Sequence, residues 1–279
     1  DNQTQISPTP SIANGAATND IAYRFSDLYL GFHYRLKSGK FTFTPGVAAH
    51  GYTISNTQTG TKTTDNFFRF LPDMNVIFQI KKSETLNLSY RMQTQFTDVS
   101  KFASGLVLNN YNSLFSGSPD LQSALSHNIN LTYYSFNMFN YTNVFANINY
   151  NKSIDNVRNV SAFVPQSVIR VSTPFNSDFA DETLTARGRF QRTFGRLRAS
   201  VNANFNYSKF NQFVQQMPSL NERFTQTYRA RLRTNFKTAP NVDLSYKHSI
   251  QDNNLGSNVT KFFTKSPSIE VDALILKTF

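Results

Sequence analysis

Leu197-Arg198-Ala199-Ser200-Val201-Asn202-Ala203-Asn204-Phe205-Asn206-Tyr207-Ser208 alternates apolar and polar residues without a break. A spacing of two sends Leu197, Ala199, Val201, Ala203, Phe205 and Tyr207 to one face of a β-strand and the polar set to the other. A helix would smear both sets around its circumference. The same beat recurs along the chain. Leu28, Leu30, Phe32, Tyr34 and Leu36 alternate with Tyr29, Gly31, His33 and Arg35, and Leu86, Leu88, Tyr90 and Met92 with Asn87, Ser89, Arg91 and Gln93. Val144, Ala146, Ile148 and Tyr150 follow it, as do Tyr228, Ala230 and Leu232, then Val242, Leu244 and Tyr246. No helical periodicity competes, so the pattern predicts an all-β protein.

Composition narrows the class. Of 279 residues only 16% are charged, against about 25% in soluble globular domains. Aromatics reach 14%, carried by 27 Phe and 13 Tyr with no Trp. Mean hydropathy is nevertheless negative, because Asn, Gln, Ser and Thr supply the polarity. No run approaches 18 consecutive apolar residues, which excludes a transmembrane helix. The absence of cysteine excludes a disulfide scaffold and a Cys-ligated metal. Forty aromatics are too many for a disordered chain.

The alternation marks about eleven strands, near residues 23–36, 41–52, 68–80, 85–94, 126–135, 141–163, 169–194, 197–210, 223–236, 241–251 and 261–275. Short connections fall at 37–40, 81–84, 136–140, 195–196 and 237–240. Long polar ones are expected at 53–66, 95–125, 164–181, 211–221 and 252–260. An antiparallel meander with short turns on one side and long loops on the other is the layout of a transmembrane β-barrel, whose strands need about 9–11 residues to cross a bilayer. A soluble sandwich would also alternate, but with strands nearer five or six residues. Charge is scarce on the apolar faces: Arg192, Glu222 and Lys265 share their parity and are placed at strand ends. Aromatics are expected in two girdles, Phe41, Phe43, Phe78, Phe190, Phe194 and Phe236 by the short turns, and Tyr90, Tyr150, Tyr207 and Tyr228 toward the long loops. The Gln/Ser/Thr/Pro/Asn-rich residues 1–21 read as an extracellular loop or irregular segment, and 22–279 as partial transmembrane barrel.

Two passages carry a family likeness. Phe70-Leu71-Pro72-Asp73-Met74-Asn75-Val76 opens a strand, and Gly117-Ser118-Pro119-Asp120-Leu121 leads into the strand His127-Asn128-Ile129-Asn130-Leu131-Thr132-Tyr133. Both resemble the C-terminal barrel of TonB-dependent outer-membrane receptors, although Ser118 replaces the usual Asn and Gln122-Ser123 stand where Lys-Pro is usual. The resemblance implies residence in the bacterial outer membrane and energy-coupled uptake of a bulky solute or chelate. It also implies a plug domain and a TonB-type energy-coupling protein, while the long loops are candidates to contact a surface lipoprotein. No segment here matches a plug. Family barrels have 22 strands, and single-chain bacterial barrels have even counts. Eleven therefore predicts a segment of a larger barrel, with the remaining strands and the plug in the parent chain. Phe279 resembles a terminal barrel aromatic, with Ile269, Val271, Ala273 and Ile275 in register, but Lys277 breaks that series.

No catalytic signature is present: His33, His50, His127 and His248 lack metal-ligand spacing, and there is no phosphate loop or nucleophile elbow. The expectation is a protein that is not an enzyme and uses no metal or cofactor. The strongest cluster is basic. Arg187 and Arg189, Arg198, and Arg229, Arg231 and Arg233 fall on the polar faces of three consecutive strands about 4.8 Å apart. Such a lumen strip suits guidance of an anionic substrate, or pairing with acids of the plug or of other strands. The segment 95–125 is too apolar for a freely solvated loop, and Phe102, Tyr111 and Phe115 are its candidate contact residues. A second function class is a non-transport barrel acting as an adhesin or surface-assembly platform. Nucleic acid is disfavoured despite the net charge of +11, because most aromatics lie on the face opposite the arginines.

Overall fold

The computed structural model describes residues 21–273, apart from positions 59, 104, 215, 216, 238, 239 and 257. Nearly all of the expected segment 1–21, and the stretch holding Ile275, Lys277 and Phe279, lie outside the described residues. Eleven long strands form one antiparallel meander. In spatial order they are β1 (Ile21–His33), β3 (Phe41–Gln58), β4 (Thr61–Lys81), β5 (Glu84–Gln95), β8 (Ala124–Asn137), β9 (Thr142–Ile154), β12 (Asp181–Phe194), β13 (Leu197–Val214), β14 (Met217–Thr234), β15 (Asn241–Leu255) and β16 (Asn258–Asp272). The short β2 (Leu36–Ser38) adds to β3. Among the described residues β1 and β16 each pair on one side only, so the sheet is open.

Two of the short turns, at 39–40 and 195–196, are two-residue links where chain reversal demands a left-handed backbone, supplied by Gly39 (φ 55°) and Gly195 (φ 58°). On the other side the structure corrects the expected long loops. Residues 53–66, 211–221 and 252–260 are paired β-structure almost to their tips, with β3–β4 in register from Phe41↔Phe78 to Gln58↔Thr61. In 53–66 and 252–260 Thr, Asn and Ser read as loop because neither face needs apolar residues beyond the membrane, yet their backbones still pair. Two expected strands instead divide. Residues 141–163 break at Asp155 (φ 57°), where the Asn156 amide bonds Ser153 and Asp181, and residues 169–194 break after Asn176. The pieces released are β10 (Val157–Phe163) and β11 (Arg170–Asn176). With β6 (Leu106–Asn110) and β7 (Ser113–Ser116) they make a four-stranded sheet ordered β10-β11-β7-β6 at the loop end.

Register assigns the faces. Leu88, Leu131 and Ile148 align across β5, β8 and β9, and Val201 and Ala230 across β13 and β14. Many large apolar residues of that face are exposed, Leu30 by 78% and Ile269 by 70%. The chain presents 18,889 Å² of surface, whereas a soluble monomer of 31.7 kDa presents about 12,000 Å². A sandwich would bury this face against a second sheet; here it is open, the condition of a wall facing lipid. The buried apolar side chains, among them Tyr52, Phe102, Ala103 and Leu121, gather mostly at the loop end.

Lys265 departs from its expected strand-end place. Because β16 begins at Asn258, Lys265 is the eighth of its fifteen residues, opposite His248 on the apolar face. Its flexible stem lets the ammonium reach toward an interface.

Candidate functional site

The polar face of β12–β16 carries the site. Arg189, Asn202, Arg229, Lys247 and Ser266 stand in one cross-strand row, with Arg187, Asn204 and Thr227 in the next. Between them lies a groove of about 580 Å³, with Phe145 and Gly188 also in its lining. Strand parity puts all six sequence-predicted arginines on this face, but their surroundings differ. Arg231 donates through Nε to both Asp243 oxygens at 2.8 and 2.9 Å, and its Nη2 also bonds that carboxylate. Arg233 lies 3.9 Å from Asp243 and 3.7 Å from Asp272. These two are therefore answered by acids at the short-turn end.

The others are not. Among the described residues Arg187, Arg189, Arg198, Arg229 and Lys247 form no ion pair with a carboxylate, and Arg189 donates instead to Gln191 at 2.6 Å. Arg229 stands directly opposite Lys247, and Arg198 opposite Arg233. Like charges facing each other in a sheet are destabilising. Dissolved salt in a water-filled lumen screens them over about 8 Å. A bound anion would do so more strongly, with guanidinium groups offering paired donors to each carboxylate or phosphate. Lys247 escaped the sequence reading because a lone lysine among Ser and Tyr carries no signal until register sets it beside Arg229.

The mouth of the polar face is aromatic. Phe96 packs on Phe25 at 4.6 Å and on Tyr52 at 5.0 Å, and Phe102 stacks on Tyr23 at 5.6 Å. The segment after β5 thus folds inward through a short 3₁₀ turn at Val99–Phe102, with Phe102 buried. Phe115 belongs to β7 of the small sheet, and Tyr111 stays 81% exposed. Gly117 clamps the segment: its N–H and that of Ser118 donate to the Ala103 and Lys101 carbonyls at 2.7 and 2.8 Å. Asp98 caps the turn by accepting from Ser100 N–H at 2.8 Å. Hydrogen bonds from the Ser100 side chain, then its backbone, hold the Asp98 carboxyl below its usual 3.8. A lowered folded value means the cap is fully present above the ordinary carboxylate range and lost as pH falls through that lower value. Amide exchange at residues 99–103 is therefore expected to accelerate beyond its intrinsic pH trend below pH 3.8, and Asp98→Asn to abolish that extra acceleration.

Three of the four histidines find separate partners: His33 with Asp73, His50 with Asp27 and His127 with the Tyr90 hydroxyl, each at 2.9 Å. On the lipid face Tyr90, Tyr150 and Tyr207 end near the loop side, where the latter two donate to Glu182 and Glu222. Phe41 stacks on Phe78 at 4.3 Å beside the short turns, next to Phe43. Phe194 lies 4.8 Å from the Arg192 guanidinium and Phe236 5.7 Å from that of Arg196. Phe190 stands further up β12, and Tyr228 sits at mid-depth opposite Ala203 and His248.

Among solved structures, the FrpB iron transporter from Neisseria meningitidis (F5-1 variant) matches with a TM-score of 0.50 at 9% identity, over 91% of this chain and 46% of that one. The siderophore receptor PirA from Acinetobacter baumannii gives a TM-score of 0.48 at 11% identity, over 92% and 49%. The chain thus spans about half the length of the solved structures it matches. Among curated proteins none has a sequence matching this chain. At 9% identity the first likeness is one of fold, and it puts the open sheet beside a stretch of outer-membrane barrel wall. The model of the outer membrane protein beta-barrel family matches residues 2–279, and with its lipid-facing meander the chain belongs to that family of the bacterial outer membrane.

Proposed function

We propose that the chain is barrel wall of a TonB-dependent outer-membrane receptor that takes up a bulky anionic solute or chelate. The observation that carries this reading is the groove where Arg187, Arg189, Arg229 and Lys247 face one another without an acid. A lumen that is merely filled gains nothing from such an arrangement, which costs stability. A passing anion, or acids of a plug in the parent chain, would repay it. The remaining strands would pair with the edges of β1 and β16 left unpaired among the described residues, and an energy-coupling protein would act through the plug.

Replacing Arg189 and Arg229 together by glutamine in the full protein tests this. Each charge-assisted hydrogen bond lost is worth roughly 1.5–3 kcal/mol. Uptake by the double variant at limiting solute is expected to fall at least about tenfold, with the barrel still folded. Unchanged uptake with lowered barrel stability would assign the arginines to the plug and sink the substrate-steering account.

A further inference from the structure

The lipid-facing side of β12–β16 is not a uniform apolar wall. Ala199 and Ala230 interrupt rows of larger residues, and the space above them is a groove of about 750 Å³ walled by Phe190, Leu232, Tyr246 and Ile269. Directly opposite Ala199 on the neighbouring strand stands Arg192. It lies on the same face, two residues from the end of β12 at the short-turn side. Its guanidinium rests on Phe194 at 4.8 Å, and its buried Nε has no hydrogen-bond partner among the described residues.

An unsatisfied guanidinium donor at a membrane boundary is costly, and the lipid around it offers few groups that can answer it. A phosphodiester can, because its oxygens accept paired donors from arginine. We propose that this groove and Arg192 form a binding site for one phospholipid of the leaflet on the short-turn side. The phosphate sits on Arg192 and an acyl chain lies over Ala199 and Ala230. Two features favour a phospholipid over another occupant. The groove is continuous with the face already in contact with lipid, and Arg192, across from its Ala199 at the short-turn end, places a positive charge where the headgroup phosphates lie. Surrounding lipid tails are as apolar as the groove, so burial alone selects nothing. Selectivity must come from the guanidinium–phosphate contact and from the fit over the small residues, and each can be removed separately.

The experiment is native mass spectrometry of the full protein, purified from outer membranes in mild detergent and titrated with dioleoyl phosphatidylglycerol. The wild type is expected to retain one lipid through the detergent wash. Arg192→Gln, which deletes the charge, and Ala230→Leu, which fills the groove, are each expected to lower its occupancy by about tenfold. Arg192→Lys keeps the charge and is expected to retain more lipid than the glutamine variant. Arg24→Gln, on the lipid face at the far end of β1, is expected to leave occupancy unchanged, as is added inorganic phosphate, which has no acyl chain. Heat-modifiable migration in gels would confirm that each variant is folded. Equal occupancy in wild type and in the Arg192→Gln and Ala230→Leu proteins would overturn the proposal. So would displacement of the lipid by inorganic phosphate, which would leave a simple anion contact.

Discussion

Replacing Leu131 by arginine is expected to destabilise the folded barrel in a bilayer by about 2–4 kcal/mol, whereas Asn130→Arg is expected to cost less than about 1 kcal/mol. The two positions are neighbours at the same depth of β8. Leu131 aligns with Leu88 and Ile148, so an arginine there would meet hydrocarbon on three adjacent strands. Asn130 aligns with Ser89 and Asn149 and receives a 2.6 Å hydrogen bond from the Asn147 amide. An arginine at that position loses the bond but keeps its charge among polar groups, where the penalty falls to that of one modest hydrogen bond. Urea titration of the two variants in lipid vesicles measures the difference. Equal costs would mean that the apolar face does not meet lipid, and the whole assignment of faces would go with it.

Gly117→Ala is expected to release the segment between β5 and β8 from the barrel mouth. A Cβ at this position would lie 2.3 Å from the Lys101 carbonyl oxygen and 2.6 Å from that of Ala103. Both are backbone atoms, so no flexible side chain can give way. Overpacking of this kind costs about 1–3 kcal/mol. The two hydrogen bonds from residues 117 and 118 would loosen with it, exposing Lys101 beside the buried Phe102. Limited trypsin digestion of the folded protein is expected to cut after Lys101 about 5–150 times faster than in the wild type, the rise in open population that this energy implies. Cleavage at an unchanged rate would show that Gly117 does not hold the mouth closed. The glycine of the Gly117–Leu121 motif, which entered only through a family likeness, thus acquires a physical role.

The barrel wall was legible because period-two alternation is a local property. Each residue's face follows from its parity, and the eleven long strands of the sheet answer to the eleven stretches of alternation. The tips of the β3–β4 and β15–β16 hairpins were not legible, since outside the membrane their faces are mostly polar and parity carries little hydrophobic signal. The kinks were hidden for another reason: after Asn176 only a switch of apolar parity, from Val171 and Phe175 to Leu184 and Ala186, marks the break, and at Asp155 it is set by a left-handed backbone and the Asn156 side chain.

The candidate site divides along the same line. Sequence by itself determined that one face would be apolar, that the other would be rich in Asn, Ser and Thr, and that six arginines would share the polar face. It could not determine which of them are answered. That depends on cross-strand register, which sets Asp243 beside Arg231 and Arg233 and leaves Arg229 against Lys247. Register in turn depends on where each hairpin turns, and a shift of two residues would preserve every face while exchanging every partner. Parity is decided within a strand; pairing is decided between strands, and only the assembled sheet carries it.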